Sequence, residues 1–498
     1  MCSSYIPLFN IRQYACWTLD ADIGACVDII FHAGTILLVM KKDIEDRKET
    51  IKETPKENKL GVMPVGKLLA SMSIPTMFSM LIQALYNIVD SIFVSRLSEK
   101  ALTAVSLAFP MQNLLIAFAV GISVGICSVV SRRLGEKRED EAFKAAETGY
   151  AILLICTVAF MLIGVFFSGP FFRIYTNDPE LIQMGTSYLR ICLIVSLGCF
   201  LGVFNEKILQ ATGDTIHPMI IQLCGAIFNI VFDPILIFGY FGFPAMGIEG
   251  AAYATVAGQF VSMFVGIFYA KRNQYVNIKF LRFSIDRKAA KDILQVGLPS
   301  VVMQGIGTIM TSLMNAILIT YEIVATTVFG VYFKLQSFVF MPVFGLNSGL
   351  MPILAYNYGA KNRERMMKAI RLGMIVAFAI MVLGMLAFML IPDSLLGLFE
   401  ASPRMLEVGE VALRRIALSF PLAAFTIILG ALFQAMGDGY ISMITSLTRQ
   451  IGILIPSAWL LGKLFGLDAI WFSFIIAEVV VIVLSVMFFG KEKKKLEF

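Results

Sequence analysis

Two carboxylates stand inside long apolar stretches: Asp90, in Tyr86-Asn87-Ile88-Val89-Asp90, and Asp233, in Asn229-Ile230-Val231-Phe232-Asp233-Pro234. Charged groups placed in hydrocarbon are costly, and by default they mark ion or proton pathways. If the first stretch ends near residue 95, Asp90 lies about five residues in, or ~8 Å along a helix. Asp233 lies about seven residues, and Thr255 about eight, from the same side of their own stretches. Asn229 precedes Asp233 by one helical turn and Tyr86 precedes Asp90 in the same way, so each pair shares a face. Carboxylates, an amide oxygen and a hydroxyl are hard ligands suited to Na⁺. Two neighbouring carboxylates also hold a shared proton more readily than either alone. This spacing predicts a site for Na⁺ or H⁺ at Asp90, Asn229, Asp233 and Thr255. The alternative is a hydrogen-bonded cluster that only fixes helix packing.

Other charges within apolar stretches carry different expectations. Arg449 and Glu478 lie at similar depth and are expected to form a structural ion pair. Glu206, beside Lys207, either lines a cavity or reaches the interface. Lys334 and Tyr86 are further candidates for a substrate cavity or gate. Pro75 and Pro299 remove a backbone donor and are expected to bend their helices. Gly121-Ile122-Ser123-Val124-Gly125 matches a hydrolase nucleophile pattern, but it lies mid-helix with no histidine partner, so helix packing through its glycines is the better reading. No Walker motif or HExxH occurs, and no nucleophile–base pair supports an enzyme.

The elements that must position these residues are membrane spans. The chain has 498 residues, 58% hydrophobic and 15% charged, far from the composition of soluble domains. Apolar runs give twelve spans: 70–95, 103–131, 147–170, 185–211, 215–240, 247–270, 292–320, 325–356, 369–392, 405–436, 439–463 and 467–490. The expected organisation is a cytoplasmic tail (1–66), a six-helix lobe (67–270), a linker (271–291), a second six-helix lobe (292–490) and a basic tail (491–498). Within the tail, translation is expected to start at Met40, which makes 1–39 a start-site artefact; the rival is a thirteenth helix over 23–40. Loops 132–144, 271–291 and 361–371 hold seventeen basic residues against five on the opposite side, which places both termini in the cytoplasm. The eight cysteines form no CxxC pair and the two histidines cannot build a metal centre alone, so no cofactor is implied. The basic residues are dispersed rather than gathered in a patch, and nucleic acid is not expected.

Shifting the chain by 224 residues against itself exposes a gapless repeat. Pro75 falls on Pro299, Gln112 on Gln336, Gly121 on Gly345, Gly125 on Gly349, Gly135 on Gly359, Lys137 on Lys361, Pro179 on Pro403 and Arg190 on Arg414. Gln210-Ala211-x-Gly213-Asp214 falls on Gln434-Ala435-x-Gly437-Asp438. Two halves of equal orientation suit a transporter that rocks one bundle against the other.

These segments resemble the multidrug and toxic compound extrusion (MATE) family. The resemblance is carried by Pro75 to Asp90, Asn229-x-x-x-Asp233-Pro234, Gly250-Ala251-Ala252-Tyr253-Ala254-Thr255, the paired Gln-Ala-x-Gly-Asp segments and Ala355-Tyr356-Asn357-Tyr358-Gly359-Ala360-Lys361. It covers roughly 65–490 and looks like the bacterial NorM/DinF side, most similar to MepA-type exporters. It implies an all-α polytopic membrane protein with two pseudo-symmetric six-helix bundles in a V. It also implies export of amphipathic, mostly cationic drugs or toxic metabolites, driven by inward Na⁺ or H⁺, across a bacterial inner membrane. Family positions matching Asp90, Asn229, Asp233 and Thr255 form the first-lobe cation site, and prolines matching Pro75 bend the first span. Some NorM proteins also use acids deep in the seventh and tenth spans. This chain has none there, Glu407 and Glu410 lying at the outer edge, so coupling through the second lobe is not expected. The competing function is a flippase for a lipid-linked saccharide, which calls for several cavity cations where Lys334 is the chief one. The partners expected are small amphipathic molecules and membrane lipid; the sequence does not fix the oligomeric state, and a monomer is compatible with it.

Overall fold

The computed structural model describes residues 58–273, 275, 284–399 and 401–492, with the backbone alone for 87–92, 95 and 99. Expectations for 1–57, most of the linker and 493–498 lie outside the described residues. Among those described there is no strand. In hydrocarbon the backbone must satisfy itself, and a helix does so within one segment.

Among the described residues, nine helices are long and apolar enough to cross a membrane, and two bent pairs bring the number to eleven. The first half contains Val65–Leu97, Glu99–Gly135, Glu139–Tyr175, the pair Pro179–Ile194 and Leu197–Ala211, Ile216–Phe238 and Gly247–Ala270. The second half contains Arg287–Leu318, Ile323–Gly359, Arg363–Leu390, the pair Pro403–Ala417 and Phe420–Met436, and a last span over Leu467–Ile470 and Ser473–Glu492. Between these last two lie Gly439–Leu447, the π-helical Thr448–Leu454 and Ile455–Phe465, which together cover the eleventh expected span, 439–463. Helices outrun the apolar stretches because polar caps set their ends. Ser98 accepts from Ala101 N–H, Asp286 from Ala289 N–H and Asn362 from Arg365 N–H, each satisfying a donor that the helix start leaves free.

The internal repeat is visible in the backbone. The two bent pairs turn by 45° and 47°, and each second helix begins one proline-capped segment after Pro179 or Pro403. Gly213 and Gly437 both take positive φ (98° and 95°) in the Gln-Ala-x-Gly-Asp turns. Lys137 and Lys361, also 224 residues apart, both sit in the left-handed region at φ 60° and 54°.

Among the described residues the buried side chains form two cores, one per half, with an exchange at their boundary. Leu60 to Met72 join the second-half core, while Ala289, Ile293 and Val301 join the first-half core. Small residues let the halves meet along these segments. A Cβ on Gly125 would strike the backbone of Ile293 and Gly297, and one on Gly349 would strike that of Met72 and Ser73. The two Gly-x-x-x-Gly segments are thus the seams between spans two and seven and between spans eight and one.

Further ties cluster at the end carrying the basic loops. Arg133 Nη2 meets Asp292 Oδ2 at 2.7 Å. Arg132 donates to Met436 C=O at 3.2 Å, Ser128 to Gln434 C=O at 2.7 Å and Arg365 to Met63 C=O at 2.6 Å.

Candidate functional site

The first-lobe cluster is assembled by spans five and six. These helices cross at Gly225 and Gly258, where a Cβ on Gly258 would lie 2.8 Å from Gly225 C=O and 3.4 Å from Asn229 Cβ. The close approach brings Asn229, Asp233 and Thr255 within reach of one another. Asn229 Nδ2 lies 3.3 Å from Asp233 Oδ1 and 3.4 Å from Thr255 Oγ1. With the amide turned over, its NH₂ donates to Asp233 Oδ2 at 3.1 Å and its oxygen accepts from Thr255 N–H at 3.2 Å. In that orientation each group has a complementary partner.

Asp233 is fully buried and Asn229 is 3% exposed, whereas Thr255 is half-buried and forms the open side. A carboxylate enclosed in this way retains its charge only with a compensating cation or enough donors; otherwise it takes up a proton. The arrangement gathers oxygen atoms of the kind that hard cations take as ligands. Asp90 and Tyr86 lie on Val65–Leu97; Tyr86 is half-buried, and the Asp90 side chain lies outside the described atoms.

The other candidates fall elsewhere. Lys207 is buried and donates to Gln210 Oε1 at 2.9 Å, while its neighbour Glu206 is half-buried. Lys334 is exposed, with its ammonium 5.8 Å from the centre of the Phe399 ring. Arg449 Nη1 meets Glu478 Oε1 at 2.9 Å, and Glu478 Oε2 accepts from Thr426 at 3.1 Å. Pro75 and Pro299 both lie inside unbroken helices.

Asp292 stands at the first residue of an expected span and Arg132 and Arg133 in a basic loop, so the sequence alone assigns them nothing beyond loop charge. Their role as ties between the halves was not readable from charge counting. The one available signal was Asp292 itself, an acid in the first turns of a helix that faces a basic loop.

The MatE family model matches residues 75–235 and 299–460, two stretches that begin 224 residues apart, the repeat spacing read from the sequence. A FAD transporter of Shewanella oneidensis is 26% identical over 82% of this chain and 90% of its own length. The multidrug export protein MepA of Staphylococcus aureus is 25% identical over 83% and 91%. Among solved structures, a MOP superfamily transporter from Pyrococcus furiosus, described as having a binding pocket of reversed polarity, superposes with a TM-score of 0.83 at 28% identity, covering 90% of this chain and 100% of that one. An outward-facing multidrug resistance MATE transporter gives the same score, identity and coverage.

Proposed function

Because the chain belongs to the MatE family of membrane transporters, we propose that it is a cation-coupled antiporter that exports amphipathic, chiefly cationic organic molecules across a bacterial plasma membrane. The observation that carries this reading is the enclosed Asp233 held by Asn229, with Thr255 on the open side. The coupling ion, Na⁺ or H⁺, enters at Asp233, Asn229, Thr255 and Asp90. Its charge offsets the carboxylates, and an ion that favours one arrangement of the lobes shifts the equilibrium toward it. Export follows when the ion stabilises the arrangement that the loaded substrate disfavours. The end bearing the basic loops is cytoplasmic, in keeping with the asymmetry of basic residues. The relatives are transporters, and the chain acts as a transporter rather than an enzyme.

A second reading of the substrate is favoured by the FAD transporter among the relatives, which extends the range to amphiphiles carrying anionic groups. The deciding experiment reconstitutes the purified chain in vesicles and follows dye efflux under imposed Na⁺ or pH gradients. Asp233→Asn is expected to abolish gradient-driven efflux while the protein remains folded and inserted. Wild-type efflux by that variant would overturn the coupling site.

A further inference from the structure

The second lobe treats its charged pair differently from a closed salt bridge. Glu478 is 9% exposed in its side chain, and its two oxygens are taken up by Arg449 and Thr426. Arg449 keeps 27% of its side chain exposed and gives only Nη1 to Glu478. Among the described residues, no hydrogen bond joins its Nη2 or Nε to another group. A guanidinium carries five N–H donors in a planar fork, so most of these donors make no hydrogen bond and remain available to a ligand reaching the partly exposed edge.

Span ten leaves a gap nearby. Thr426 and Gly430 stand one turn apart on a single face of span ten. Thr426 bonds Glu478 of span twelve, and Gly430 C=O accepts from Ser442 of span eleven at 2.9 Å. A side chain begun at Gly430 would meet no atom within 4 Å. The opening is thus on the helix-facing side of span ten.

At the repeat-related position the first lobe has a glycine. Counting eleven residues on from the repeated Gly-Asp turns, Arg449 falls on Gly225. There a Cβ would run into Ser262 and Gly258 C=O, because spans five and six touch backbone to backbone. The second lobe instead has a π-helical turn, Thr448–Leu454, at the same place, a distortion that recurs at functional sites.

We propose that Arg449, held in place by Glu478, is a recognition site for an oxyanion group, carboxylate or phosphate, on the exported amphiphile. Guanidinium forks match such groups with two parallel hydrogen bonds. The substrate class thereby widens to molecules bearing an acidic group, with the cation site in one lobe and the anion site in the other. The inference rests on the exporter reading for its context, but its test does not depend on transport.

The test measures equilibrium binding of flavins to the purified full-length protein in detergent by fluorescence. Riboflavin and FMN share one ring system and differ by a phosphate. Wild type is expected to bind FMN at least about tenfold more tightly, the range of a charge-assisted hydrogen bond. Arg449→Gln is expected to remove that difference and leave riboflavin binding unchanged. If Arg449→Gln does not fold, Arg449→Lys keeps the charge without the fork and is expected to narrow the gap. Lumiflavin acetate separates the two sources: a preference over lumiflavin that Arg449→Gln removes makes carboxylates ligands too, and its absence restricts the site to phosphates. Equal binding of FMN and riboflavin by wild type, an equal loss of both in Arg449→Gln, or an unchanged gap in Arg449→Lys overturns the proposal. A protein that binds FMN through Arg449 yet moves nothing under a gradient leaves this inference standing and removes the antiporter reading.

Discussion

The hydroxyl of Thr215 donates to the carbonyl of Ser71 at 3.0 Å, and that carbonyl is the one Pro75 cannot serve, four residues on in span one. A proline-freed carbonyl in hydrocarbon is costly until another donor reaches it, and here the donor comes from the turn before span five. The second half differs: Gly439 takes the place of Thr215, and a Cβ there would lie 2.9 Å from the freed Gln295 carbonyl, backbone against backbone with no hydroxyl. Span one is therefore clamped by a removable hydrogen bond. Thr215→Val is expected to release about 1 kcal/mol of restraint and loosen the helix at Pro75. Spin labels at the exposed positions 67 and 85 report this as a broader distance distribution. A distribution identical to that of the parent would show that the bond does not restrain the bend.

Arg133 and Asp292 join span two to span seven at 2.7 Å, both partly buried. Any arrangement that opens the basic end must break this ion pair together with the Ser128 to Gln434 and Arg132 to Met436 bonds. Asp292→Asn removes the charge and keeps the shape, so the equilibrium should move toward opening at that end. A cysteine introduced at the buried Ser128 should then react severalfold faster with a thiol reagent than in the Asp292 parent. Equal rates would mean that this pair does not hold the end closed.

The spans and the repeat were legible because hydropathy and a 224-residue register survive in composition. The bends between Ile194 and Leu197 and between Ala417 and Phe420 were not. The residues there stay apolar, and hydropathy carries no direction. The π-helical turn at Thr448–Leu454 was hidden for the same reason, since a one-residue change of winding leaves the apolar pattern nearly intact. Asn229, Asp233 and Thr255 could be grouped from depth and the four-residue spacing alone. The short backbone approach at Gly225 and Gly258 that lets them touch could not. Arg449 and Glu478 could be paired by depth, but the exposed edge of the guanidinium needed coordinates.

Orientation rests on charge asymmetry alone and is open to direct measurement. Loops 132–144, 271–291 and 361–371 are expected to face the cytoplasm. Single cysteines at Arg138, Lys288 and Arg363, all exposed, should resist a membrane-impermeant thiol reagent in intact cells and react in inverted vesicles. The background needs its native cysteines replaced. Ready labelling of any one in intact cells reverses the assignment of that loop.

Glu478 holds Arg449 from a nearly enclosed position and also accepts from Thr426. Removing its charge leaves the guanidinium without a counter-ion in a poorly solvated place, and breaking one partner of such a pair costs on the order of 3 kcal/mol. Glu478→Gln keeps the volume and can still accept from Thr426, so the loss is specifically one of charge. The melting temperature of the purified protein should fall by several degrees. The double variant Glu478→Gln with Arg449→Met, in which no charge is stranded, should recover much of that loss. If the single variant melts with the parent, Arg449 is already served by solvent and Glu478 does not anchor it. The oxyanion site would then rest on a mobile guanidinium.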